Sequence, residues 1–400
     1  MQTKYLVFGS PLIEEEEIQE VVETLRSGWI GTGPKVAKFE EMVSDYIGSK
    51  HAVALNSCTA GLHLSMLVLG VGPGDGVITT PMTFAATANS IIHCGGRPIF
   101  VDVNPETMNI EPSEIERYIT NNCDYEKGVL RDRKLGCNIK AILPVHLAGR
   151  PCDMDRIVAI AKKYGLYLVE DAAHAIESIY KGRKIGTVGD ISSFSFYVTK
   201  NVVTGEGGMV TTDNEEWAEK IKVYALHGMS KGAWKRFSDA GYKHYEVVYP
   251  GYKYNMMDIQ AALGIHQLRR VEGNLKIREA LWAEYDKLLC DLPLKTPAPP
   301  EPDTKHARHL YTVMVDIEKK HLSRDDVMER LHEKKIGTGI HYIALHLHPY
   351  YQQTYGYKRG DFPAAEYTSD RTLSLPLSPK LSMEDVRRVA GSLKEIFIDR

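Results

Sequence analysis

The chain has 400 residues, more than one small core needs, with 43% hydrophobic and 25% charged residues and a net charge of −3. That charge offers no basic footprint for nucleic acid or an anionic membrane surface, and no window of ~18 consecutive apolar residues can span a bilayer. The six cysteines (Cys58, Cys94, Cys123, Cys137, Cys152, Cys290) are scattered without a Cys-x-x-Cys pair, and the start shows no basic-then-apolar leader. A metal site and a disulfide framework are therefore disfavoured, and a cytoplasmic location without a signal peptide is expected.

In chain order, residues 14–27 read as an acidic amphipathic helix ending near Gly28, and 34–47 as a second closed by Gly48. From 51 to 212, candidate strands at 51–55, 76–80, 98–102, 139–145, 166–170, 192–196 and 208–212 alternate with candidate helices at 59–69, 84–93, 112–120 and 153–164. This alternation predicts an α/β protein with a mostly parallel sheet and flanking helices, which binds ligands at the carboxyl ends of its strands. Asn56, Pro81, Asp171 and the loop after 196 all follow strand ends and can converge on one crevice. Residues 121–138 read as a surface excursion and 228–250 as a long polar and aromatic loop. Helices are expected at 256–271 and 273–290, then a proline-rich linker at 292–302, where proline breaks both helix and ladder. A strand at 309–317, a helix at 323–334, a strand at 336–342 and a helix at 383–398 complete a smaller α+β unit. The expected division is a large domain over 1–270 and a small one over 271–400, with the long helix and linker at 271–302.

Lys200 follows the apolar, aromatic run 192–198 and precedes the glycine-rich turn Gly205 to Gly208. A solvated surface lysine is the default for a lone lysine, but that context argues against it. A lysine amine can form a Schiff base, so it is a covalent nucleophile. Asp171 ends an apolar strand, where a carboxylate could hold a pyridine nitrogen protonated or simply cap the next helix. Ser195 offers a hydroxyl to a phosphate. These three are what a pyridoxal phosphate (PLP) site needs, with the ring as electron sink.

Around them, Asn56 to Gly61 lies between a strand and a helix, where backbone amides can meet an anion or Ser57 or Thr59 can cap the helix. Phe84 could stack on the cofactor or belong to the core. His174 could bond Asp171, the cofactor's phenolic oxygen, or neither. Asn255 could cap a helix from Met256 or reach a phosphate across a subunit interface. His341, His346 and His348 lack a familiar zinc spacing, so the 339–351 segment reads as a rim for a sugar or a partner subunit.

Together these runs resemble the DegT/DnrJ/EryC1/StrS family of sugar aminotransferases over nearly the whole chain. The matching motifs are Gly28 to Pro34, Asn56 to Leu62, Glu170 to Ala175, Ser193 to Gly208, Leu226 to Gly228, Gly251 to Asp258 and Ser374 to Leu377. The run 250–255 is especially similar to the branch that aminates C4 of UDP-4-keto sugars, the UDP-4-amino-4-deoxy-L-arabinose aminotransferase type. The resemblance implies a fold-type I enzyme with pyridoxal 5'-phosphate, a nucleotide-sugar substrate, L-glutamate as amino donor, a homodimer with shared active sites, and a place in polysaccharide or lipopolysaccharide biosynthesis. It implies that Lys200 and Asp171 are catalytic, and that Thr59, the Ala60 amide, Ser195 and the partner subunit's Asn255 hold the phosphate. Phe84 would stack on the ring where that branch has tryptophan, and His174 would lie near the ring hydroxyl. Trp29, His341 and Tyr342 would meet substrate, with no metal. Dehydrating relatives carry histidine at the lysine position, so Lys200 argues against that branch. The 121–138 excursion and the middle of 341–351 depart from the closest relatives. C3 amination of a dTDP- or GDP-linked sugar, and a silent regulatory member of the fold, stay open as alternatives.

Overall fold

A computed structural model describes residues 4–230 and 245–398. The alternating strands build a nine-stranded sheet whose main path runs, in space, His51–Leu55, Gly208–Thr212, Ile191–Ser195, Tyr167–Asp171, Asn138–Ile142, Asp75–Thr79 and Arg97–Phe100. Neighbours are parallel except around Gly208–Thr212, which is antiparallel to both of its partners. Both faces are covered, and the two-residue period of a strand shows directly. Ala52 and Ala54 pack into one apolar cluster with Phe39, Ile157 and Ile265, while Val53 and Leu55 pack into another with Leu62, Leu64 and Ile221. That double cover explains why these strands read as continuous apolar runs.

The 121–138 excursion is structured. Cys123–Glu126 and Val129–Asp132 form a hairpin that extends the sheet beside Asn138 and Ile139. The two helices expected at 256–271 and 273–290 are one, Asp258–Leu289, of 32 residues. Gly273 does not break it; a glycine costs a helix interior about 1 kcal/mol, which packing on both flanks outweighs. The first half of this helix buries Ala261, Ile265, Leu268 and Val271 against the large sheet, and the second half buries Leu281, Trp282, Tyr285 and Leu289 in a separate core. That second core sits on a three-stranded antiparallel sheet of Leu294–Lys295, Tyr311–Val315 and Thr372–Leu375. The helix Met383–Ile398 lies where expected.

The strand expected at 336–342 is absent. Ile336 and Gly339 make only isolated bridges, to Leu6 and Ser374. Helices Glu215–Ala225, Pro349–Tyr355 and Pro363–Arg371 lie outside the expected elements. Of the 228–250 loop, Met229 bridges Val247, and 231–244 lie outside the described residues. Among the described residues no helix is long and apolar enough to cross a membrane, and all six cysteines are free.

Candidate active site

Asp171 is the last residue of its strand and is 5% exposed. Its Oδ2 accepts a hydrogen bond from Thr87 Oγ1 at 2.7 Å and its Oδ1 one from the Ala173 amide at 3.2 Å. Burial raises its pKa, against the pull of those donors and of Lys200. Lys200 sits on the loop after Ile191–Ser195, where its amide donates to Tyr197 O at 2.8 Å and closes a tight turn. Its amine has no hydrogen-bond or ion-pair partner among the described residues, and burial pushes it down to about 8, with Asp171 opposing.

Next door, Asn201 is clamped from three sides. Its Nδ2 donates to Glu177 Oε2 at 2.8 Å and to Ala307 O at 3.1 Å, and its Oδ1 faces His309 Nδ1 at 3.0 Å. Glu177 in turn forms a fully buried ion pair with Arg278 of the long helix.

Ser57 caps the helix Cys58–Val68, accepting from the Ala60 amide at 3.1 Å. The turn is pressed against Gly208: a Cβ there would lie 2.4 Å from the Cys58 nitrogen, so only glycine admits this approach. A cleft of about 480 Å³ results, and it brings together Thr59, Phe84, Asp171, His174, Ser195, Lys200, His341 and Tyr342. Phe84 is 62% exposed, with its ring 6.1 Å from that of Tyr342, so it is a wall of the cleft and not core.

His174 makes no bond to Asp171. Its Nδ1 accepts from the Ala148 amide at 3.1 Å, its Nε2 faces Tyr342 Oη at 3.4 Å, and its ring lies 4.4 Å from that of His309. Burial pushes His174 far down and His341 down to about 3, so both rings are neutral. His341 is oriented by Ser374 Oγ at 2.8 Å from its Nδ1. His346 leaves the cleft for a buried contact with Glu366 at 3.0 Å. Among the described residues no group of three or more His, Cys, Asp and Glu could hold a metal ion.

Three expected residues lie apart. The Ala60 amide is already held by Ser57 and its side chain is buried. Asn255 does not cap the long helix, which starts at Asp258 behind Met257. Its Nδ2 donates to Thr32 Oγ1 at 2.7 Å, while its Oδ1 is buried without a partner. Trp29 is 46% exposed and donates from Nε1 to Thr32 O at 3.2 Å. Neither Asn255 nor Trp29 lines the cleft of its own chain. Conversely, Thr83, Thr87, Tyr197 and Glu206 line the cleft without having been singled out. The four-residue spacing of Thr83 and Thr87 at the start of a helix was the only local signal.

This donor set suits pyridoxal phosphate: an unpartnered amine, a buried carboxylate, an exposed aromatic wall, and hydroxyls of Thr59 and Ser195 beside a helix N-terminus. Residues 11–394 match the model of the DegT/DnrJ/EryC1/StrS aminotransferase family. The chain is 52% identical to the protein MJ1066 of Methanocaldococcus jannaschii, over 96% of each chain. It is 49% identical to the spore coat polysaccharide biosynthesis protein SpsC of Bacillus subtilis, covering 98% of this chain and 97% of SpsC. Spr1654 of Streptococcus pneumoniae, a proposed sugar aminotransferase solved in its PLP form, superposes with a TM-score of 0.86 at 33% identity over 99% of each chain. Fold and cleft together are those of an aminotransferase whose cofactor is pyridoxal 5'-phosphate. The chain belongs to the DegT/DnrJ/EryC1/StrS family, and its activity is that of a sugar aminotransferase.

Proposed function

We propose that the enzyme transfers the amino group of L-glutamate to C4 of a UDP-linked 4-keto sugar, for the synthesis of a cell-surface polysaccharide. The observation that carries the reading is the unpaired, half-buried amine of Lys200 facing a cleft that also holds buried Asp171 and the open ring of Phe84. The likeness of residues 250–255 to enzymes acting on UDP-4-keto sugars supports the choice of sugar, and the SpsC relative supports the setting.

When bound, the cofactor supplies an electron sink for the carbon that loses its proton. Lys200 would hold the cofactor covalently, and its free amine would serve as the base. With a pKa of about 8, Nζ can take a proton from the donor's α-carbon near neutral pH and later deliver one to the sugar carbon being aminated. Asp171 would hold the ring nitrogen, Phe84 would stack on the ring, and Thr59 and Ser195 would hold the phosphate. His174, held neutral with Nδ1 accepting from the Ala148 amide, would offer its Nε2 proton to the ring hydroxyl. His341 and Tyr342 bind the sugar, and the partner subunit's Asn255 completes the phosphate site. A homodimer is supported by the exposed apolar side chains Trp29, Ile30, Val247, Val248 and Met257, and by the orphaned Asn255 Oδ1.

The test is a panel of UDP-, dTDP- and GDP-linked 3-keto and 4-keto sugars with L-glutamate, read by mass detection of the amine. UDP-4-keto sugars are expected to give a kcat/KM at least about tenfold above the rest, the discrimination one well-placed polar contact provides. Amine formed only from 3-keto sugars, or only on another nucleotide, overturns the assignment, and no amine from any of them points to a silent member.

A further inference from the structure

We propose that Thr83 and Thr87 form a one-way hydroxyl relay that keeps Asp171 ionised for the cofactor's ring nitrogen, an inference that rests on the role given to Asp171 above. Thr83 Oγ1 and Thr87 Oγ1 are 2.7 Å apart, and Thr87 Oγ1 is 2.7 Å from Asp171 Oδ2. All three residues are buried, at 2%, 0% and 5% exposure.

The direction of the relay follows from counting protons. An ionised carboxylate can only accept, so the single hydroxyl proton of Thr87 points at Asp171. The Thr87 oxygen is then free to accept, and Thr83 donates to it. Both protons aim the same way. Were Asp171 neutral with its proton on Oδ2, the relay would run backward: Asp171 would donate to Thr87 and Thr87 to Thr83. The hydroxyl proton of Thr83 would then have no acceptor among the described residues, since its only hydrogen bond is to Thr87. A buried donor without a partner costs more than a carbonyl-like lone pair left empty. The neutral acid cannot escape to its other oxygen cheaply either, because Oδ1 already accepts from the Ala173 amide.

The local sequence makes the relay possible. Thr83 lies just before the extended N-cap Phe84 and Thr87 in the first turn of the helix Ala85–His93, and the chain's entry into the helix brings the two hydroxyls together. The positive end of that helix dipole also favours an anion at Asp171. The two threonines are therefore positioning residues: they act on the ring nitrogen only through the charge of Asp171.

The experiment compares, by equilibrium titration of the cofactor-free full chain, the affinity for pyridoxal 5'-phosphate with that for its 1-deaza analogue, whose ring carries C–H in place of the nitrogen. Wild type is expected to prefer the natural cofactor. Thr87→Val should cut that preference about tenfold, as removing a hydrogen bond to a charged group does, while affinity for the analogue stays within about twofold. Thr87→Ser should restore the preference, and Thr83→Val should lower it about threefold. An unchanged preference in Thr87→Val, or an equal loss of both ligands, overturns the relay. Should Thr87→Val not fold, an unchanged preference in Thr83→Val overturns it. A wild type that does not distinguish the two ligands overturns the pairing of Asp171 with the ring nitrogen, and the relay with it.

Discussion

Lys200 shows how much a single side chain owes to its surroundings. Its amine is half-buried in the cleft wall and given no partner among the described residues, so partial burial moves it from 10.5 down to about 8. Below about 8 both folded and unfolded chains carry the proton, and the folded form bears the cost of a partly desolvated charge. Between about 8 and 10.5 the unfolded chain keeps the proton and the folded chain has lost it, so stability rises with pH across that window. Lys200→Met should therefore make the cofactor-free protein more stable than wild type at pH 7. It should also lack the wild-type contribution to the rise between those values, as read by urea unfolding at a series of pH. Equal pH slopes in the two proteins would show that the amine is solvated. Lys200, Asp171 and Ser195 stand out in the sequence because each lies at or just after the end of an apolar strand and chemistry names its residue type. Thr87 was not, because it sits 84 positions from the carboxylate it serves.

The elements explain why two distant motifs occur together. The helix Pro34–Ile47 begins at Gly33, which has no side chain to cap its first amides. Asp258, the first residue of the long helix and fully buried, does so instead. Its Oδ1 accepts from Gly33 N at 2.8 Å and Val36 N at 3.0 Å, and its Oδ2 from Lys35 N at 3.1 Å. In return the Asp258 amide donates to Gly31 O at 2.8 Å, and Thr32 Oγ1 to Met256 O at 2.5 Å. Asp258→Ala strands three amides, that of Val36 buried and those of Gly33 and Lys35 part-buried, and should cost roughly 2 kcal/mol in urea unfolding, with Asp258→Asn in between because its Nδ2 cannot accept. A loss below ~1 kcal/mol would mean that water takes over the cap. The elements of the large sheet were legible because burial on both faces writes continuous apolar strands between amphipathic helices. The single long helix was not. Glu272 and Gly273 look like a break, yet Glu272 is pinned by Tyr46 and Lys305 at 2.6 and 2.7 Å. The 336–342 segment has strand-like residues, but its neighbours Leu6 and Ser374 offer only single bridges.

At the scale of the molecule, the long helix joins both cores, and the Glu177–Arg278 pair ties it to the lysine loop through Asn201. Asn255 and Trp29 do not line the cleft of their own chain, which fits a site completed across a dimer. If that is so, Lys200→Ala and Asn255→Ala proteins, each nearly inactive, should regain activity when mixed under subunit exchange. Each mixed dimer then holds one site with both residues intact, so random exchange should restore about a quarter of wild-type sites. No recovery in a mixture shown to contain mixed dimers would place Asn255 outside the site. The sequence by itself determined the class of fold and the family, and it named Lys200, Asp171 and Ser195, which line one cleft, because hydrophobic period, strand ends and residue chemistry are local properties of the chain. Tertiary structure alone decided that Ala60 is spent on a cap, that Phe84 is open, that His174 turns to Tyr342, and that Thr83 and Thr87 stand behind Asp171. Those outcomes depend on which distant donors and acceptors share a buried space, and no spacing along the chain encodes that.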